Sequence, residues 1–394
     1  MIKKLNIQIK NIVIIKNYTY QILKMNWITN TDTIIFDGEY NEELNIELIS
    51  AYKKLIFSNY KLNDKINNLL FKHYANDNFY TIYDSDDIHN FDDIHEFSKN
   101  HSMFNQNVSN LPSSITHMIF GYYFNQDVSN LPPPLTHLTF DYSFNQDVSN
   151  LPPLLTHLTF GYSFNQDVSK LPKKIIYLIF GSKFNKDVSA LPSLITHLTF
   201  DWHFNQNVSN LPPFLTHLTF GNEFNQDVSN LPQGITHLTF RFVFNQDISK
   251  LPPFLTHLTF GYNFNQDISK LPKGLTYLIW NCDVEQDLSK LPPSLTHLIL
   301  NSEFKKYFNI PLNVKYLELN YDNQYIINSL PNSVVELRFG YYFNSQINNL
   351  PTSIKKITIN ENCYYNQDLN CLPDFIEELQ LNSLYDKRIL NIPS

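Results

Sequence analysis

A twenty-residue sentence repeated in register constrains this chain more than any other feature. Phe144 to Phe164, FNQDVSNLPPLLTHLTFGYSF, is copied from Phe104 to about Asn301 without an insertion. A fixed period of this length marks a solenoid, in which each repeat forms one coil stacked on the last. The apolar positions of one coil are Phe144, Val148, Leu151, Leu155, Leu158 and Phe160. From Thr156 to Phe160 apolar and polar residues alternate strictly, the pattern of a half-buried strand with Leu158 and Phe160 inward. Pro152 and Pro153, with Ser149 and Asn150 before them, rule out a regular helix on the back and leave turns or a short 3₁₀ segment. The predicted fold is an all-β dominated solenoid of 20-residue coils, with one short parallel strand per coil and little or no regular helix. A thin back predicts a gently curved or twisted rod rather than a tight horseshoe. One coil alone cannot offset the entropy of ordering itself, so neighbours must cover its apolar layer.

The chain divides into 1–103, an irregular N-terminal part with worn coils and a cap; 104–301, the regular array; and 302–394, degenerate coils ending in a second cap. Phe36, Tyr40, Asn41 and Leu44 repeat the spacing of Phe140, Phe144, Asn145 and Val148, and Leu55 to Phe57 falls where the next strand belongs. Phe79 to Tyr83 and Ile94 to Phe97 read as further strands. Leu48 to Leu55 and Lys65 to His73 are also compatible with short helices. In the last part the beat continues through Pro311, Pro331, Pro351, Pro373 and Pro393, with strands expected over Lys315 to Leu319, Glu336 to Phe339, Lys356 to Ile359 and Glu378 to Leu381.

A net charge of −8 disfavours nucleic acid or an anionic membrane as partner. Cys282, Cys363 and Cys371 are too few and scattered for a disulfide framework and point to a reducing, intracellular and cytoplasmic setting. Lys10, Asn11 and Lys16 interrupt any signal-like core, and no run approaches a membrane span.

Phe-Asn-Gln, then Leu-Pro, then Leu-Thr-His-Leu-Thr-Phe-Gly resembles the FNIP repeat, a relative of the leucine-rich repeats. The resemblance implies a right-handed solenoid used for protein interaction, without enzymatic activity or cofactor. Some members carry an F-box-like segment that makes them substrate receptors of a ubiquitin ligase. The N-terminus here lacks the Leu-Pro opening and helical leucine pattern of that segment.

Stacking turns each repeated residue into a column. One column is histidine: His117, His137, His157, His197, His217, His237, His257 and His297, with Tyr177 and Tyr277 in the gaps. A straight file lacks the convergence of a zinc site, so the expected role is stacking on the outer sheet face, with hydrogen bonds to Thr139, Thr159 and Thr199. Protonating such a file should be resisted, so acid near about pH 5 should loosen the stack. A second column, Asn125, Asn145, Asn165, Asn185, Asn205, Asn225, Asn245 and Asn265, with Asn105 before it, is expected to point inward and hydrogen-bond the turning backbone. A third is acidic, Asp127, Asp147, Asp167, Asp187, Asp227, Asp247, Asp267 and Asp287. Each precedes a serine by two residues, which favours an Asx-type turn over calcium.

Positions that differ between coils are the candidates for function. The strip just after each strand holds Tyr122, Tyr142, Tyr162, Trp202, Arg241, Phe242 and Tyr262 in its aromatic-rich columns, the residue types that anchor protein interfaces. An enzyme needs singular residues converging in a pocket, whereas the polar residues of the regular coils recur many times. The one dense set of ligating side chains, Asp84, Asp86, Asp87, His89, Asp92, Asp93 and His95, reads as a solvated loop. The expected function is a protein–protein interaction scaffold; a structural spacer or particle component is the alternative, and a ubiquitin-ligase receptor a further one.

Overall fold

The computed structural model describes residues 12–15, 33–36, 41–44, 46–57, 101–282, 287–303, 308–370, 372–373, 375–387 and 389. The segments Lys65 to His73, Phe79 to Tyr83 and Ile94 to Phe97, the acidic run Asp84 to Asp93 with His95, and Cys371 lie outside them. The chain forms two compact units, Met1–Lys186 and Asp187–Ser394.

In the first unit the strands are β1 (Ile12–Ile15), β2 (Thr33–Phe36), β3 (Lys54–Phe57), β4 (His117–Ile119), β5 (His137–Thr139), β6 (His157–Thr159) and β7 (Tyr177–Ile179). Each pairs in parallel with the next. The worn coil read from Phe36 to Phe57 is present: β2 pairs with β3, and Phe36 stacks on Phe57 at 4.9 Å. Helix α1 (Ile46–Ile49) is a single turn, and Lys54 and Leu55 are already strand, so the helical reading of Leu48 to Leu55 is corrected. Leu55 sits inward and pairs with Met118 of β4; sheet neighbours on both sides override the local helical spacing.

The second unit holds β8 (His197–Thr199), β9 (His217–Thr219), β10 (His237–Thr239), β11 (His257–Phe260), β12 (Tyr277–Trp280), β13 (His297–Leu300), β14 (Tyr316–Tyr321), β15 (Glu336–Tyr342), β16 (Lys356–Ile359) and β17 (Glu378–Gln380), again parallel in sequence order. β14 and β15 run past their expected ends because Tyr321 pairs with Tyr342 beyond a register shift. Among the described residues the back holds 3₁₀ turns at Ile268–Lys270 and Leu288–Lys290 and one short helix, α2 (Gln324–Asn328).

One coil shows how the sequence builds this solenoid. Phe144, Val148, Leu151, Leu155, Leu158 and Phe160 are all buried, filling the interior between strand and back. The Leu155 N–H donates to the Pro152 carbonyl at 3.2 Å, closing a β-turn with Pro153 at the position that prefers proline. A second turn returns the chain through Phe164 N–H to Gly161 O at 3.4 Å. Between coils, the Thr136 carbonyl accepts from both Thr156 and His157, at 2.9 and 3.1 Å. Inside, Phe140 and Phe144 stack at 3.6 Å, and Phe144 meets Phe164 of the next coil at 6.1 Å. Burying six large side chains per coil, at about 1.5–3 kcal/mol each, is what the array is built around.

Candidate interaction surface

Three columns frame the outer surface: an asparagine ladder that braces the backbone of the next coil, an aspartate file that caps its own turn, and a histidine file. In the first unit, Asn125 Oδ1 accepts from the Asn145 N–H at 2.9 Å, Asn145 from Asn165 at 2.8 Å and Asn165 from Asn185 at 3.0 Å. Asn41 of the worn coil heads the same ladder, accepting from Asn105 at 3.0 Å, and Asn105 accepts from Asn125 at 2.8 Å. In the second unit Asn205, Asn225 and Asn245 accept in turn from Asn225, Asn245 and Asn265, at 3.0, 2.9 and 2.8 Å. Glutamines reinforce it: Gln146 Nε2 donates to both oxygens of Asn125 at 3.1 Å. The expected inward orientation is corrected. These asparagines are half-buried, and Asn185 and Asn265 are exposed, because the turn they brace lies at the rim of the coil.

Aspartates occupy the next turn. Asp147 accepts from the Ser149 N–H at 3.0 Å and its hydroxyl at 2.7 Å, and the pair recurs at Asp167, Asp227, Asp247 and Asp267. Hydrogen bonds from serine hold these carboxyls below their usual range. With both oxygens engaged within their own turn, each carboxylate is a cap. Among the described residues no group of histidine, cysteine and carboxylate side chains is arranged to hold a metal ion.

The histidines form two files of parallel rings. His117, His137 and His157 stack at 4.2 and 4.1 Å in the first unit; His197, His217, His237 and His257 stack at 4.1, 4.2 and 4.0 Å in the second. Tyr177 and Tyr277 continue the files at 4.7 and 5.1 Å. The hydroxyl beside each ring differs from the expected Thr139, Thr159 and Thr199: it belongs to the preceding threonine, as in Thr136–His137 at 2.9 Å and Thr216–His217 at 2.9 Å. Those hydroxyls also lie 3.1–3.2 Å from the threonine carbonyl of the coil behind. A hydroxyl has one proton; with that proton on the carbonyl, the imidazole donates through Nδ1 and keeps Nε2 as an acceptor. Burial lowers His157, His217 and His237 to about 4, and the neighbouring imidazoles add to the effect at His217 and His237.

The variable strip differs between units. In the first, Tyr122, Tyr142 and Tyr162 stack at 4.4 and 4.6 Å, with the Lys183 ammonium 5.2 Å from the Tyr162 ring centre. His101, which the sequence reading did not single out, covers Tyr122 at 3.8 Å. In the second, Trp202 is 50% exposed and Phe242 51%, and Phe242 stacks on Tyr262 at 5.2 Å. Arg241 Nη1 reaches Asp201 Oδ1 at 3.9 Å across the intervening coil, and His203 lies 2.9 Å from Glu223. At Gly221 the backbones of adjacent coils approach so closely that a Cβ would run into the Asp201 carbonyl. Tyr122, Tyr142 and Tyr162 thus form one contiguous group, and Arg241, Phe242 and Tyr262 lie on adjacent coils of another.

Parallel single-strand coils, a turn-built back and a surface that varies over a repeating frame define a leucine-rich-repeat-like solenoid. The chain belongs to the FNIP repeat family: the model of the FNIP Repeat matches residues 104–143, 127–163, 144–183, 204–242, 244–283, 287–322, 308–342 and 321–362, more than half of the sequence. Among solved structures it is similar to CroV588, described as a circular LRR protein, with 31% identity and a TM-score of 0.60 over 92% of this chain and 54% of that one. The chain therefore spans about half the length of that relative. It also resembles the functional domain of InlJ from Listeria monocytogenes (19% identity, TM-score 0.45, 69% and 63% of the two chains). A third is YopM from Yersinia enterocolitica (16%, 0.38, 92% and 86%). No curated protein matches.

Proposed function

We propose that the protein is a non-enzymatic scaffold that binds another protein through the variable strip of its second unit. The observation that carries this is the exposure of Trp202, a large ring half in water that follows Asp201 in the chain, the residue that the Arg241 guanidinium reaches from two coils away. Trp and Arg are the side chains most often found to dominate binding energy. The stacked tyrosines of the first unit favour a second, purely structural reading for that part of the strip, because each ring already covers its neighbour. Quantitative cross-linking in the native cell, comparing the wild-type chain with Trp202→Ala/Arg241→Ala and with Tyr142→Ala, tests it. Loss of a specific cross-linked protein from the double variant alone is expected. A cross-linking pattern unchanged by the double variant overturns it.

A further inference from the structure

A second surface lies on the turns that precede the strands, away from the strip. In the second unit the pairing of His197, His217, His237, His257 and Tyr277 puts Leu194, Phe214, Gly234, Phe254 and Gly274 in one row, one per coil. Phe214 is 61% exposed and Phe254 69%. Among the described residues neither ring stacks on another, in contrast to the aromatics of the strip. Gly234 explains the gap between them, and its own presence is unexplained by the fold. A Cβ at Gly234 would come no closer than 3.4 Å to the Leu215 carbonyl, and one at Gly274 no closer than 3.9 Å to that of Leu255. Neither glycine has a left-handed φ. Glycine costs backbone entropy, yet at these two sites packing would accept a side chain.

The result is two open gaps, one on each side of Phe254. Two coils separate them, about 9–10 Å at the usual strand spacing. An extended polyproline-like segment advances about 9 Å in three residues, so every third side chain meets a gap. Charge selects the residues between. Lys250, Lys270 and Lys290 form an exposed column four residues upstream of the row, and Lys273 adjoins Gly274. The aspartates beyond them, Asp247, Asp267 and Asp287, bond Ser249, Ser269 and Ser289 and stay anionic within reach of the charges of Lys250, Lys270 and Lys290. Among the described residues none of these lysines closes a salt bridge to them, so the lysine column stays open to a second set of carboxylates.

We propose that this row is a docking site for an extended segment of a partner protein with an apolar residue at every third position and acidic residues between. The apolar side chains enter the gaps at Gly234 and Gly274 against Phe214 and Phe254, and the carboxylates face the lysine column. The site is independent of the Trp202–Arg241 surface, so either can fail without the other.

The test is to pan a displayed library of random dodecapeptides against the full chain and measure the enriched peptides by fluorescence anisotropy. Peptides with the apolar–acidic spacing are expected. Their affinity should fall about tenfold or more in Gly234→Leu/Gly274→Leu, which fills the gaps, and in Phe214→Ser/Phe254→Ser. It should fall less in Lys270→Glu/Lys290→Glu and stay unchanged in Trp202→Ala/Arg241→Ala, with thermal melting verifying that each variant folds. No enrichment, enriched peptides without acidic residues, or equal binding to the filled variant overturns the proposal. Dependence on Trp202 instead overturns it while supporting the strip. A self-associated chain that Phe214→Ser/Phe254→Ser dissociates identifies a second copy as the occupant, and overturns it too.

Discussion

Two stretches of the second unit solve the same problem with amides in different places. From Asn205 to Asn265 the bridging carboxamide follows the second phenylalanine of each coil, and glycine follows the strand at Gly221 and Gly261. From Asn281 to Asn320 the amide sits directly after the strand, where those glycines were. Asn281 Nδ2 donates to the Phe260 carbonyl at 2.8 Å, Asn301 to Asn281 Oδ1 at 2.6 Å, and Asn320 to Asn301. Further on both arrangements occur together: Asn344 accepts from the Asn366 N–H at 2.8 Å, and Asn382 Nδ2 donates to the Asn360 carbonyl at 3.1 Å. The difference teaches that the fold demands a donor–acceptor group braced against the next coil, and accepts it at either of two turns near the strand end.

The comparison can be broken most sharply at the glycine itself. Gly221→Ala drives a methyl into the Asp201 carbonyl and should cost about 1–3 kcal/mol by urea denaturation. Asn301→Ala occupies the equivalent place, where a Cβ already fits, and should cost only its hydrogen bonds, about 0.5–1.5 kcal/mol. Equal costs would mean that the two stretches share one backbone and that the amide shift is incidental.

Next in size is Asn245→Ala, expected to lose about 0.5–1.5 kcal/mol because the Asn265 N–H it braces is near water. The same replacement at Asn185, itself exposed, should cost a similar amount. A loss above that range at either site would show that the rim is drier than its geometry indicates.

The smallest effect concerns acid. His157, His217 and His237 titrate at about 4 when folded, below the imidazole value of 6.5, so the folded chain binds fewer protons between these limits. Their contribution is complete above about pH 6.5, shrinks as pH falls toward 4, and changes no further below that. Thermal melting should therefore drop over this window, and His217→Tyr should reduce the drop by on the order of one degree. A wild-type melting temperature that is flat from pH 7 to pH 4 would remove the effect.

Much of the coil was legible because its signals agree: the alternation of Thr156 to Phe160, Pro153 at its turn and the phenylalanine beat all demand one geometry. The worn coil at Phe36 was legible for the same reason, down to Asn41. Burial of the asparagine ladder was not, since spacing tells which residues share a column and not how deep a turn lies. The same limit hid the hydroxyl partners of the histidines: Thr156 and Thr159 both flank His157, and only the coil behind decides between them. Leu48 to Leu55 is too short a run to separate helix from strand before its neighbours are known. Of the surface, the strip is legible from its variation, whereas the exposed pair Phe214 and Phe254 sits in a column that the repeat disguises. The alternation of LPPFL with LPQGI and LPKGL was the available signal.

Because, within each unit, a regular coil offers its successor the kind of acceptor it met in its predecessor, a duplication or deletion of twenty codons there would leave each junction chemically whole. Copy number is then free to drift while individual surface letters diverge, and a gene of this design can change its reach without having to invent a new joint.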